Sequence, residues 1–170
     1  MGKAEIIKAR NTSIITKEDY IESVKLSTDR KKKNRCVILS IIILFLGIYG
    51  EVTNTVMLGW LFAAFGVVMI AWELFISYPV IGGKSYKKAL EVNGGKEITI
   101  KVDFYKDHLE MKNASGKTSL KYKKIKRVGK GNNVVILIFS DELAVTFKKD
   151  SFTFGSFEDV EAVIEKARER

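Results

Sequence analysis

Seven basic side chains and no acidic one fall within residues 117–130: Lys117, Lys121, Lys123, Lys124, Lys126, Arg127 and Lys130. The chemistry open to such a segment is electrostatic. It can attract an anionic partner, either lipid headgroups or an acidic protein surface, and each base near an anionic leaflet contributes about 1 kcal/mol before screening. It can equally be an ordinary solvated face that keeps an apolar chain soluble, and both readings stay open here. A second basic run, Arg30, Lys31, Lys32, Lys33 and Arg35, contains no acid either. These two short stretches carry more than the whole net charge of +9.

Side chains suited to covalent or proton chemistry are sparse. The one histidine, His108, follows Asp107 and lies near Asp103. Both aspartates flank a turn, where Asp is favoured for its bonds to the backbone, and a histidine at the start of an exposed strand is read as a surface residue. The one cysteine, Cys36, excludes a disulfide framework and a cysteine-based metal cluster. Gly129-Lys130-Gly131 lacks the spacing of a phosphate-binding loop. The expectation is a protein that is not an enzyme, with no catalytic residues, no cofactor and no metal. Nucleic acid is not expected as a partner, since Tyr122 is the only aromatic ring among the bases.

A mean hydropathy of +0.03 is high for so basic a chain of 170 residues, so charge and apolarity must be segregated. Residues 36–78 contain only two charged side chains, Glu51 and Glu73. A helix crossing about 30 Å of hydrocarbon needs about 20 apolar residues, which makes this run a two-helix transmembrane hairpin, residues 36–54 and 56–78. The polar cluster Gly50 to Thr55 forms the break, and Pro79 with Gly82-Gly83 ends the second span. Two buried helices of a soluble core are the alternative, disfavoured because so short a chain offers little surface to cover them. Arg30, Lys31, Lys32, Lys33 and Arg35 determine topology: they precede the first span, Lys84, Lys87 and Lys88 follow the second, and the intervening loop has no base. Both termini are therefore expected in the cytoplasm of a multi-pass cell-membrane protein. Glu73 is expected to pair with Arg35 or Lys33; the other reading is an intramembrane proton or ion site. Gly59-x-x-x-Ala63 allows close helix approach and is read as packing the hairpin on itself.

The flanking residues must then form the polar part. In residues 1–35, Ala4 to Ala9 reads as a short strand. Thr16 caps a helix with Glu18 and Asp19 in its first turn, and that helix is expected to run on into the basic stretch and the first span. Residues 84–170 begin with a short helix, Ser85 to Val92. From residue 98 the period becomes two: Ile98, Ile100, Val102 and Phe104 alternate with polar residues. Turn signals near residues 106, 113, 129 and 140 divide the rest into a β-meander. Ser156-x-x-Asp159 starts an amphipathic helix whose apolar stripe is Phe157, Val160, Val163, Ile164 and Ala167. The expected fold class is an α+β membrane protein: the hairpin plus a small antiparallel β-barrel, pleckstrin-homology-like, capped by a C-terminal helix. The N-terminal strand is expected to complete the sheet across the hairpin.

Several motifs resemble the YcxB-like family of bacterial membrane proteins: Phe104-x-x-Asp107-x-Leu109-x-Met111, then Gly116, Leu120-x-Tyr122-x-x-Ile125-x-x-Val128, and Phe152-x-x-Gly155-Ser156-Phe157-Glu158. Thr16-x-Glu18-Asp19-Tyr20 is similar to that family's N-terminal segment, while Lys149-Asp150-Ser151 lacks the proline often found there. The resemblance implies a pleckstrin-like cytoplasmic domain on a membrane hairpin and supplies no catalytic residues. The functional expectation is a membrane-anchored binding or scaffold module that docks on anionic lipid or on a protein partner, with homo-oligomers included. The alternative is a subunit of an oligomeric transport or channel assembly.

Overall fold

The computed structural model describes residues 6–53, 58–113, 116–140 and 143–168, and gives only the backbone of Arg30, Lys32 and Arg168. The expected positions Ala4, Glu5, residues 54–57, Ala114, Ser115, Asp141 and Glu142 lie outside the described residues. The chain divides into two units, Thr28–Ile81 and the combination of Met1–Ser27 with Gly82–Arg170.

The apolar unit begins at a cap. Asp29 has extended backbone, and its carboxylate accepts the Lys31 N–H at 2.9 Å, starting α2 (Arg30–Val52). The preceding helix, α1 (Lys17–Ser27), ends at Ser27. The single helix expected to run from Thr16 into the first span is therefore two helices, because Asp29 takes the N-cap geometry that a continuous helix forbids. α3 (Gly59–Ala71) returns antiparallel to α2. A Cβ on Gly66 would lie 2.9 Å from Leu44 Cα, so glycine is what lets the backbones meet there. Gly47 fits against Gly59 and Ala63 in the same way, as the small-residue pattern predicts. Glu51 accepts the Trp60 N–H at 3.0 Å and so caps the start of α3.

The second apolar helix does not stop at Pro79. A π-helical turn, Trp72–Ile76, leads directly into α4 (Ser77–Val92), which passes through Pro79 and Gly82-Gly83. Proline removes a donor and crowds the carbonyl four residues earlier. The π turn precedes that point, with the Ser77 N–H bonded to the Trp72 carbonyl. The separate helix expected at Ser85 is thus the end of α4. The helical stretches Lys33–Val52 and Gly59–Val92 each contain a segment long and apolar enough to cross a membrane. Phe45, Leu46, Trp60 and Phe75 are exposed, unlike the side chains of buried core helices.

The second unit holds two antiparallel sheets. The first has the order β4 (Gly116–Lys121), β3 (His108–Asn113), β2 (Ile98–Phe104), β1 (Ala9–Ile15), β8 (Phe152–Phe154). The second runs β5 (Arg127–Lys130), β6 (Val134–Ile138), β7 (Ala144–Lys148). Between them lies a core of Val102, Phe104, Leu109, Tyr122, Leu137, Val145 and Phe147, closed by Val160 and Ile164 of α5 (Phe157–Arg168). α1 lies against β5 and β6. With α1 there, β6 is buried on both faces, at Val134 and Ile136 as well as at Val135 and Leu137.

Two expectations change. The N-terminal strand is Ala9–Ile15, beyond the segment that sequence pattern favoured, although it does complete the sheet, between β2 and β8. Its inward positions are Ala9, Asn11, Ser13 and Ile15, and the two polar ones hide the alternation. The expected closed barrel is instead two open sheets. At one corner the 3-10 turn Tyr122–Lys124 ends β4, and β5 pairs with β6. At the other corner side chains replace a ladder: Asn11 Nδ2 donates to the Lys148 carbonyl at 2.7 Å, and the Lys148 N–H donates to Ser13 Oγ at 2.9 Å.

Candidate binding surface

The basic segment 117–130 runs from β4 through the 3-10 turn to β5, and it divides into two sets. The turn between them is fixed from inside. Tyr122 is fully buried, its N–H donates to the Asp107 carbonyl at 3.1 Å, and its hydroxyl donates to the Tyr105 carbonyl at 3.0 Å. Burial pushes the Tyr122 phenol well above its ordinary value, so it stays neutral. Ile125 is buried, its N–H bonded to the Tyr122 carbonyl, and α5 lies against the turn. Two apolar anchors thus alternate with Lys121, Lys123, Lys124 and Lys126, all four of them exposed. Among the described residues no acid lies within ion-pair distance of these four.

The other three bases have structural partners. Lys117 Nζ lies 2.8 Å from Glu110 Oε2. That hydrogen bond lowers the Glu110 carboxyl below its ordinary value and raises Lys117 above its own. Lys130 pairs with Glu161 of α5. Arg127 Nη2 donates to the carbonyl oxygens of Leu26, at 3.1 Å, and of Ser27, which are unpaired acceptors at the end of α1. The expected seven-residue site is therefore a four-lysine turn flanked by three bases engaged within the fold. Sequence spacing cannot show this, because the partners come from β3, α5 and α1.

Of the basic run expected to determine topology, Lys31 and Arg35 are exposed, and the side chains of Arg30 and Lys32 lie outside the described residues. Lys33 Nζ sits 4.5 Å from the centre of the Tyr78 ring, a cation–π contact. Among the described residues neither Lys33 nor Arg35 pairs with Glu73, contrary to expectation. Lys33 has turned to an aromatic face, and Glu73 occupies the π turn, whose Glu73 carbonyl accepts from Ser77 Oγ at 3.3 Å.

His108 also differs from its expected place. Its side chain is only 13% exposed, stacked nearly flat on Tyr105 at 4.7 Å, with Nδ1 2.8 Å from Asp107 Oδ1. That hydrogen bond, its largest influence, lowers the Asp107 carboxyl. Asp103 is taken by Arg10, at 2.5 Å. Among the described residues no group of three or more His, Cys, Asp or Glu side chains is arranged to hold a metal ion.

The outer face of the larger sheet carries a feature that sequence reading missed. Strand register sets Lys101 opposite Lys112, and Lys112 opposite Lys117. Three lysines thus line up across β2, β3 and β4, although they are scattered along the chain.

These elements define an α+β protein with two long apolar helices and an antiparallel β unit assembled from both ends of the chain. Residues 104–167 match the model of a family described as YcxB-like protein. The match runs from Phe104 in β2 to Ala167 in α5 and takes in the motifs at Asp107, Tyr122 and Gly155, but neither β1 nor the apolar helices. No curated protein and no solved structure matches the chain.

Proposed function

We propose that the chain is a membrane-anchored binding module, inserted by its two apolar helices with both termini cytoplasmic, whose pleckstrin-like β unit docks on anionic lipid headgroups. The observation that carries this reading is the turn around Tyr122 and Ile125. Two buried anchors hold Lys121, Lys123, Lys124 and Lys126 exposed, with no acid within ion-pair distance among the described residues, although the Lys121 charge reaches Asp107. The adjacent Arg127 is bonded to the last residue of α1, and only Thr28 and Asp29 separate that residue from the basic run that opens α2. Uncompensated charge near an anionic leaflet is stabilised by it. Binding is favoured over chemistry because the Asp107–His108 contact belongs to a turn whose ring stacking and main-chain bonds serve packing.

The test uses the full chain in nanodiscs of neutral or anionic lipid, read by hydrogen exchange across residues 121–126. Slower exchange in anionic discs, reversed by salt and by the triple variant Lys121→Ala, Lys123→Ala, Lys124→Ala, is the expected result. Identical exchange in both lipids would overturn the reading.

A second reading, a subunit of an oligomeric transport or channel assembly, has one observation in its favour. Glu73 lies in a π turn of an apolar helix with no cationic partner among the described residues, and both features are common where membrane helices do work. Ion or proton flux into liposomes that is lost in Glu73→Gln would favour it.

A further inference from the structure

The two sheets have four edge strands, and their surroundings differ. β7 is engaged by the side chains of Asn11 and Ser13, through the backbone of Lys148. β5 is four residues long and lies against α1. β8 is three residues long. β4 is six residues long, paired with β3 on one side only, and five of its six residues are exposed. A strand of that length with one unpaired edge is a template for another strand.

Lysine is a common guard on such edges, and this accounts for Lys117 and Lys121. It does not account for Lys101 and Lys112, which lie on strands paired on both sides. Like charges directly opposite one another destabilise a sheet. The neighbouring row, Asp103 opposite Glu110, has the same problem but carries its own remedy: Arg10 on Asp103 and Lys117 on Glu110. Lys101 and Lys112 have no acid within ion-pair distance among the described residues. The row Lys101–Lys112–Lys117 ends at the free edge, so a strand added there would contribute its next residue.

We propose that the β4 edge takes an extended acidic segment of a protein partner as a further strand, with an Asp or Glu opposite Lys117. Alternation sets the rest of the pattern: a second acid opposite Lys121, and apolar residues beside Thr118 and Leu120, which face the other side of the sheet. The proposal shares only Lys121 with the lipid-binding turn at 121–126 and otherwise rests on a different face.

The test uses the full chain in nanodiscs of neutral lipid and three synthetic peptides: Val-Glu-Val-Glu-Val-Glu, its Lys-for-Glu counterpart, and a Glu peptide interrupted by proline. Binding is read by fluorescence anisotropy, and its place by hydrogen exchange. The Glu peptide is expected to bind and to slow exchange at residues 116–121, while the other two do not. Lys112→Glu should weaken the Glu peptide by about tenfold and admit the Lys peptide. Lys101→Gln, a milder change on the same row, should weaken the Glu peptide without admitting the other. Equal binding of the proline peptide would mean adsorption by charge alone and would overturn the proposal. So would absence of Glu-peptide binding to a folded protein, including the case in which the same lysines bind anionic nanodiscs instead.

Discussion

Arg127 Nη2 lies 3.1 Å from the carbonyl oxygen of Leu26 and also bonds to that of Ser27, joining the first residue of β5 to the end of α1. A guanidinium at a helix C-terminus satisfies acceptors that have no intrahelical partner and opposes the negative end of the helix dipole. Glu22 holds the other side of the same contact by accepting the N–H groups of Asn132 and Asn133, the latter at 3.4 Å. α1 is therefore fastened at two points to the β5–β6 hairpin.

Arg127→Ala should lower folding stability by about 1–2 kcal/mol and speed hydrogen exchange in α1, leaving binding to anionic lipid nearly intact. Thermal unfolding and lipid titration of the same sample check this. Weaker lipid binding at unchanged stability would instead mean that the guanidinium serves headgroups.

Asn11→Ala should cost roughly 1–3 kcal/mol, since it strands the partly buried Lys148 carbonyl and removes the Ser13 hydroxyl's partner. The urea midpoint measures this. A shift no larger than that of a half-buried, outward-facing control on the same strand, Thr12→Ala, would show that the corner does not depend on the side-chain bridge.

Gly66→Leu should separate α2 from α3, because even a Cβ there meets the Leu44 backbone at 2.9 Å. A disulfide engineered across the hairpin at a distant level, formed readily in the parent, should form slowly or not at all in the variant. Gly94→Ala is no control, since Gly94 has φ of 65° and carries its own strain.

The Glu110–Lys117 pair sets a pH window. Glu110 is depressed in the fold, so its contribution is present above the ordinary carboxyl value of 4.5 and is lost as pH falls through its lower folded value. Lys117 is raised, so its contribution holds below 10.5 and is lost as pH rises through its higher folded value. Glu110→Gln should flatten the acid limb of the stability curve, which Asp107 will still make fall. An unchanged acid limb would show that the pair adds nothing.

What could be read from the sequence was what local periodicity encodes. The apolar run, the alternation in Ile98 to Phe104, and the stripe of α5 each follow from one period in one segment. β1 was misplaced because its inward residues include Asn11 and Ser13, whose partners lie on a strand more than a hundred residues away. Helix continuity through Pro79 depends on a π turn that no residue pattern announces. The division of the basic segment, and the Lys101–Lys112–Lys117 row, are products of register and tertiary pairing.

The interior position of β1, between β2 and β8, has a consequence for the order of events during synthesis. Its neighbours β2 and β8 follow both apolar helices in the chain, so a ribosome delivers this strand long before anything exists to receive it. The β unit cannot close until the last strand has emerged, by which time both apolar helices have already been made. Assembly of the β unit therefore comes after the hairpin's synthesis, and a chain truncated before Phe152 would leave β1 as a bare edge.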